Sequence, residues 1–183
     1  MALTKTPICD FGKKAEEFKL KSTENKIISL KDIKGERGTL IMFICNHCPF
    51  VIHVNPEIVK MAKEFQSKGI QFIAISSNDV EKYPEDAPHF MRIKAKAENY
   101  TFPYLYDEDQ TVAKAYDAAC TPDFFLFDTE LKLVYRGQLD DSRPGNGSPL
   151  TGIDLRNAME NLIHGKEISA IQKPSIGCNI KWK

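Results

Sequence analysis

Five cysteines, at positions 9, 45, 48, 120 and 178, and four histidines are the side chains best able to do chemistry in this 183-residue sequence. Two of the cysteines form Cys45-Asn46-His47-Cys48, with Pro49 directly after. Thiols at this spacing can close a disulfide with each other and exchange it with an external partner, the thiolate being the attacking form. Pro49 suits the first turn of a helix. The unbonded amides and positive dipole end of a helix N-terminus favour an anion there. Cys45 is therefore the expected attacking sulfur, at the more exposed end of the motif and titrating below the ~8.5 of a free thiol. Cys48, one turn on and more buried, is expected to resolve the mixed disulfide. His47, protonated or aimed at Cys45, would favour the thiolate and hence the reduced state.

The same stretch offers a rival chemistry. Cys45, His47, Cys48 and His53 carry sulfur and nitrogen at close spacing, and Cys-x-x-Cys is half of many zinc sites. The sequence holds no second matching pair, and a proline-locked helix start stands where a zinc knuckle wants a turn. No metal and no cofactor is expected. Cys9 is expected to pack in a first strand.

The elements that must hold the dithiol follow from periodicity. The apolar run at residues 40–44 suits a strand buried on both faces. Ile58, Met61, Ala62 and Phe65 lie at helical spacing after the motif, Gly69 closes the segment, and Pro56 should kink or restart the helix with Asn55 as a cap. Residues 70–75 read as a second buried strand. A proline-bounded helix follows, with Phe90, Ile93 and Ala97 on its apolar face, and then an edge or very short strand at residues 102–106, since Pro103 cannot donate to a ladder. Residues 110–116 suggest a short helix, 123–127 and 131–135 a β-hairpin, and 18–20 with 27–30 another. Thr151 with Asp154 resembles a capping box opening a last helix lined by Ile153, Met159, Leu162 and Ile163. Alternating strands and helices predict an α/β domain over residues 1–165, its central mixed sheet parallel in its first half and flanked by helices. An N-terminal hairpin precedes it, and a tail at 166–183 packs on it. A site at the carboxyl end of a strand is where Cys45 falls.

Composition narrows the partners. Lysine and arginine together number 25, as do aspartate and glutamate, for a net charge of zero with no basic footprint for nucleic acid. No run approaches the ~20 apolar residues that span a bilayer. The N-terminal residues lack the apolar core of a secretory signal, so a cytoplasmic protein is expected, where Cys-x-x-Cys pairs are more often catalytic or metal-binding than structural.

Three features together resemble the thioredoxin superfamily: the buried strand entering Cys45-Asn46-His47-Cys48, Cys120-Thr121-Pro122 before a hairpin, and Phe102-Pro103-Tyr104-Leu105-Tyr106-Asp107 followed by Val112-Ala113-Lys114-Ala115-Tyr116. The similarity covers residues 8–165 and is greatest to the peroxiredoxin-like (alkyl hydroperoxide reductase/thiol-specific antioxidant-type) subgroup, which carries Asn-His-Cys-Pro-Phe. It extends to the segment from Gly137 to Pro144 and to the C-terminal Gly177-Cys178-Asn179-Ile180-Lys181-Trp182-Lys183. The resemblance implies a thioredoxin-like fold and thiol–disulfide oxidoreductase activity. It also implies a cis Pro122 that leaves the Thr121 backbone open to pair with a substrate strand. Cys120 is then either a third redox centre or a small buried hydrophobe. Cys178 is a resolving or intermolecular cysteine, unless the tail is simply pinned by Ile176, Ile180 and Trp182. Arg143 either lends positive charge near the thiolate or is a solvated loop residue.

Two departures limit the resemblance. A peroxiredoxin signature, Pro-x-x-x-Thr-x-x-Cys, would need threonine at Cys45 and proline at Ile41 when counted back from Cys48. Counted back from Cys45, those positions hold Met42 and Gly38. Thioredoxin's tryptophan is replaced by Ile44, and residues 39–44 hold no acid. The expected partners are protein or small-molecule disulfides, with peroxides as the alternative substrate, and a thioredoxin-type or low-molecular-weight thiol as reductant. A metal- or partner-binding module and a homodimer are the remaining readings.

Overall fold

The computed structural model describes residues 3–7 and 10–183; the expectation for Cys9 lies outside them. The chain runs β1 (Leu3–Lys5), β2 (Lys19–Ser22), β3 (Ile27–Ser29), the single turn α1 (Leu30–Ile33), β4 (Gly38–Phe43), α2 (Pro49–Gln66) and β5 (Ile70–Ser76). A 3-10 turn at Pro84–Asp86 leads to α3 (Pro88–Ala97), β6 (Tyr104–Tyr106), α4 (Thr111–Ala115), β7 (Cys120–Thr121), β8 (Asp123–Phe127), β9 (Leu133–Gly137), α5 (Ile153–Ile163) and β10 (Ile176–Asn179).

Seven strands form a mixed sheet in the order β3-β2-β6-β5-β4-β8-β9. The centre, β4, is buried along its whole length because its side chains alternate between two apolar layers. Leu40 and Met42 join α2, Met91 of α3 and α5 on one face. Ile41 and Phe43 join Leu30 and α4 on the other. The strand pairs in parallel with β5, from Gly38 opposite Ile70 to Phe43 opposite Ile75, and antiparallel with β8. The β5–β6 pair is also parallel, and antiparallel hairpins close both edges. This is the expected α/β architecture. The short strand β6 lies inside the sheet, between β5 and β2.

A second sheet holds β1, β10 and β7. It joins the start of the described chain, residues 176–179 and the segment before Pro122. Among the described residues, no helix is long and apolar enough to cross a membrane.

Four local expectations are corrected. First, α2 continues unbroken through Pro56, and Asn55 is a buried helical residue accepting from the Tyr100 hydroxyl at 2.6 Å, not a cap. The apolar stripe from Val51 to Phe65 presses on the sheet along the whole helix, which outweighs the hydrogen bond that proline cannot make. Second, Phe90 and Ile93 are exposed, because α3 inserts only Met91 fully and Ala95 in part. Third, Ile153 is half exposed at the first position of α5, whose buried stripe is Leu155, Ala158 and Met159, with Leu162 partly buried. Fourth, Gly152 rather than Thr151 is the N-cap of α5. The Leu139 carbonyl accepts the first-turn Asp154 and Leu155 amides at 3.2 and 3.3 Å, while the Asp140 carboxylate holds the Thr151 and Gly152 amides ahead of the helix, each at 2.6 Å.

Candidate active site

The dithiol emerges where β4 ends. Phe43 is the last strand residue, and the Ile44 amide still donates to the Ile75 carbonyl at 3.0 Å. The chain then turns into α2, whose N-cap is Cys48 and whose first residue is Pro49. The helix end therefore addresses Cys48 and not Cys45. Both sulfurs are buried, with Cys45 1 % and Cys48 0 % exposed, so Cys45 is not the open end of the motif.

Three elements meet these sulfurs. The Thr121–Pro122 bond is cis, as the resemblance implied. Thr121 reaches both cysteines: its Oγ1 lies 3.5 Å from Cys45 Sγ, and its carbonyl lies 3.1 Å from Cys48 Sγ. The edge of Thr121 is not open, however. Its direct antiparallel partner is Cys178 of β10, and Cys178 Sγ lies 2.9 Å from Cys48 Sγ. Gly177 permits this approach, since a Cβ there would overlap the Thr121 carbonyl.

The third element is the turn after β5. Asp86, fully buried, lies against the motif and is the residue that sequence reasoning missed. Its Oδ1 accepts from the Asn46 amide at 2.7 Å and the His47 amide at 3.3 Å. Its Oδ2 accepts from Asn78 Nδ2 at 2.8 Å and lies 2.7 Å from His47 Nδ1. The acid lacking before the motif is thus supplied from 38 to 41 positions later, a separation that leaves no local signal. His47 is turned onto this carboxylate and stacks on Tyr83 with ring centroids 5.4 Å apart.

The electrostatics reverse the assignment made for the two thiols. The hydrogen bond from Cys45 holds the Cys48 thiol at about 4, against the opposing effect of burial. The thiol of Cys178 adds to this, followed by Thr121 and the Val51 amide. Cys45 is pushed well above the ordinary thiol range, first by its hydrogen bond to Cys48, then by burial and the facing Asp86 carboxylate. Of the two thiols, Cys48 is thus the one lowered and Cys45 the one raised. Burial, followed by the contact with Cys48, raises Cys178 to about 12.

The remaining candidates lie further out. Cys120 is fully buried, with Sγ 3.5 Å from the Pro122 carbonyl. It precedes Thr121 in β7, so its side chain leaves the opposite face of the strand. Burial pushes its thiol up strongly. Arg143 is neither solvated nor aimed at sulfur. Its Nη1 donates to the Asp140 and Ser142 carbonyls at 2.6 and 2.7 Å, and its Nη2 donates to Gln138 Oε1. With Phe50, His53, Pro122 and Ile176 it lines a narrow crevice beside the cis peptide. Of the proposed metal set, His53 is drawn away to Ser142 Oγ at 2.8 Å. Cys45, His47 and Asp86 instead bring ligand atoms within 4.8 Å of one another. In the tail, Ile180 is buried, while Trp182 is 40 % exposed beside Lys114 and does not pin the segment.

Comparison with known proteins agrees with this architecture. Thiol-disulfide oxidoreductase ResA of Bacillus subtilis (strain 168) is 32% identical over 124 residues, which are 67% of this chain and 64% of that protein. The chain thus spans just under two thirds of that relative's length. A solved structure of an uncharacterized conserved protein from Geobacillus kaustophilus matches with a TM-score of 0.98 and 54% identity, over 100% of this chain and 97% of that one. A putative thiol:disulfide interchange protein DsbE from Chlorobium tepidum shares the fold at a TM-score of 0.66 and 19% identity, over 84% of this chain and 98% of that one. The model of the AhpC/TSA family matches residues 11–136, most of the sequence, and the chain belongs to that family.

Proposed function

We propose that the protein is a thiol–disulfide oxidoreductase working through a mixed disulfide on Cys45 and Cys48. The observation that carries this reading is the sulfur pair itself: two buried cysteines of one Cys-x-x-Cys, both against Thr121 of the cis Thr121–Pro122 peptide, at a helix N-terminus. The Cys48 thiolate is the base beside Cys45. As Cys45 Sγ attacks a substrate disulfide, its proton passes to Cys48 and the first substrate sulfur leaves as a thiolate. Cys48 then returns that proton to the leaving sulfur and attacks Cys45 Sγ. The Cys45–Cys48 disulfide forms, and the substrate ends as two thiol groups, one of them ionised. Thr121 lies against both sulfurs, its Oγ1 beside Cys45 and its carbonyl accepting from Cys48 whenever that thiol carries the proton. The name of the Bacillus subtilis relative points the same way. The substrate class on this proposal is protein or small-molecule disulfides, and a thioredoxin-type or low-molecular-weight thiol restores the dithiol.

Reduction of insulin by dithiothreitol tests it. The protein should accelerate precipitation of the insulin B chain, and Cys45→Ser should abolish the effect. Cys48→Ser should accumulate the mixed disulfide. Full activity in Cys45→Ser would refute the mechanism. The family match favours one second reading, thiol peroxidase activity. It predicts peroxide consumption that scales with the supplied thiol, whereas the oxidoreductase needs no peroxide.

A further inference from the structure

We propose that Cys178 is a third redox-active residue, which takes Cys48 over from Cys45 and returns Cys45 as a thiol while the protein stays oxidised. The inference rests on the dithiol reading above and adds a residue from outside the Cys-x-x-Cys motif. Three observations carry it. Cys178 Sγ is 2.9 Å from Cys48 Sγ although the residues are 130 positions apart. The strand bearing it occupies the edge of Thr121, the residue before the cis proline, where an extended substrate would otherwise pair. Gly177 lets that strand come close enough to do so. The tail thus lies on β7 as a substrate strand would, with its own sulfur against the dithiol.

The position is fastened rather than incidental. The Lys181 amide donates to Asn78 Oδ1 at 2.9 Å, and its carbonyl accepts from the Asp79 amide and from Gln110 Nε2, both at 2.8 Å. The Lys183 amide donates to Gln110 Oε1 at 2.9 Å. Ile180 is buried in the apolar layer on the α4 side of the sheet.

The step is an internal thiol–disulfide exchange. Starting from the Cys45–Cys48 disulfide, the sulfur of Cys178 attacks Cys48 Sγ. The Cys48–Cys178 bond forms, the Cys45–Cys48 bond breaks, and Cys45 leaves as a thiolate. The proton lost by Cys178 matches the one Cys45 takes up, so the exchange is neutral in protons as well as electrons. No electrons are gained or lost, so no outside oxidant or reductant enters. The oxidised protein would then carry a disulfide and a nucleophile together, a combination that two cysteines alone do not allow.

Disulfide mapping of the full-length protein tests this. Wild type and Cys45→Ser are oxidised with diamide, blocked with iodoacetamide and digested with trypsin. Cys45 and Cys48 share one tryptic peptide, residues 38–60, whereas Cys178 lies on another. The expected result is a Cys48–Cys178 crosslink between peptides in Cys45→Ser, and in wild type a fraction of the same crosslink with Cys45 alkylated. Cys178→Ala should lose that fraction completely and hold only the disulfide within the 38–60 peptide. A Cys45→Ser protein that stays reduced at Cys48, while wild type forms Cys45–Cys48, overturns the third residue and leaves the oxidoreductase reading standing. Linkage of Cys178 to Cys9 or Cys120, or only between two chains on a non-reducing gel, overturns it as well. Absence of any Cys48 disulfide in wild type refutes both readings.

Discussion

The charge on Cys48 should be visible as a pH dependence of stability. In the folded protein this thiol is held at about 4, whereas an unfolded cysteine titrates near ~8.5. A folded pKa below the unfolded one stabilises the protein fully above ~8.5, and the contribution is lost as pH falls through about 4. Between these limits the unfolded chain binds one more proton than the folded protein, so stability rises with pH by up to ~1.4 kcal/mol per unit. Other shifted groups leave part of this range clear. Asp123, raised to about 6 by burial, gives stability that is complete below its unfolded pKa and lost as pH rises through about 6. Cys45 and Cys178 are raised, so their contributions are intact below ~8.5 and are lost only above it. From about pH 6.5 to about pH 8, Cys48 should therefore add about 2 kcal/mol. Urea unfolding with a phosphine reductant measures it, using Cys48→Ala as the control. The variant should lose most of the pH dependence that wild type shows over this interval. Absorbance at about 240 nm should report one thiolate near pH 7 in wild type and none in the variant. Equal slopes in the two proteins, or no thiolate near neutrality, would refute the assignment of charge to Cys48.

Two further substitutions probe the surroundings of the sulfurs. Gly177→Ala puts a Cβ into the Thr121 carbonyl and should cost about 1–3 kcal/mol in urea unfolding. It should also speed maleimide labelling of Cys45 and Cys48, as β10 is pushed off β7. Asp86→Asn weakens the charge-assisted bonds from the Asn46 and His47 amides, for a loss of about 1–3 kcal/mol. It also removes a negative charge that faces Cys45, so Cys45 should alkylate faster at neutral pH than in wild type.

What the sequence made legible was local. The alternation across residues 40–44, the second apolar run at 70–75 and the two hairpins each follow from the spacing of side chains within one element, and all appear in the sheet. The dithiol at a strand-to-helix junction was legible for the same reason. The low titration expected of Cys45 was read from the helix N-terminus alone; with Pro49 as the first helical residue Cys48 is the cap, and the contacts that lower Cys48, from Cys45 first and then Cys178, are not visible in the motif. Proline 56 misled because its local penalty is visible in sequence, while the packing of α2 on the sheet is not. The parts of the site contributed by Asp86 and Cys178 were hidden because each arrives through long-range pairing. Cys178 stood out only as a cysteine in a tail. Its place opposite Thr121 depends on the register of β10 on β7, which a pair of short strands does not announce.

Asn78 gives this arrangement a thermodynamic reciprocity. Its Nδ2 donates to Asp86, which faces Cys45, and its Oδ1 accepts the Lys181 amide, which anchors the tail. One planar amide thus serves both the acid and the strand, and the two bonds share its orientation. A partner that draws residues 178–183 away removes the contact that orients Asn78 from the other side, and so loosens one of the bonds to Asp86. A change of charge around Cys45 and Asp86 must alter the hold on the tail by the same factor, because binding free energies coupled through a shared group are symmetric. Opening of the tail and the protonation state of the motif are linked quantities, each measurable through the other.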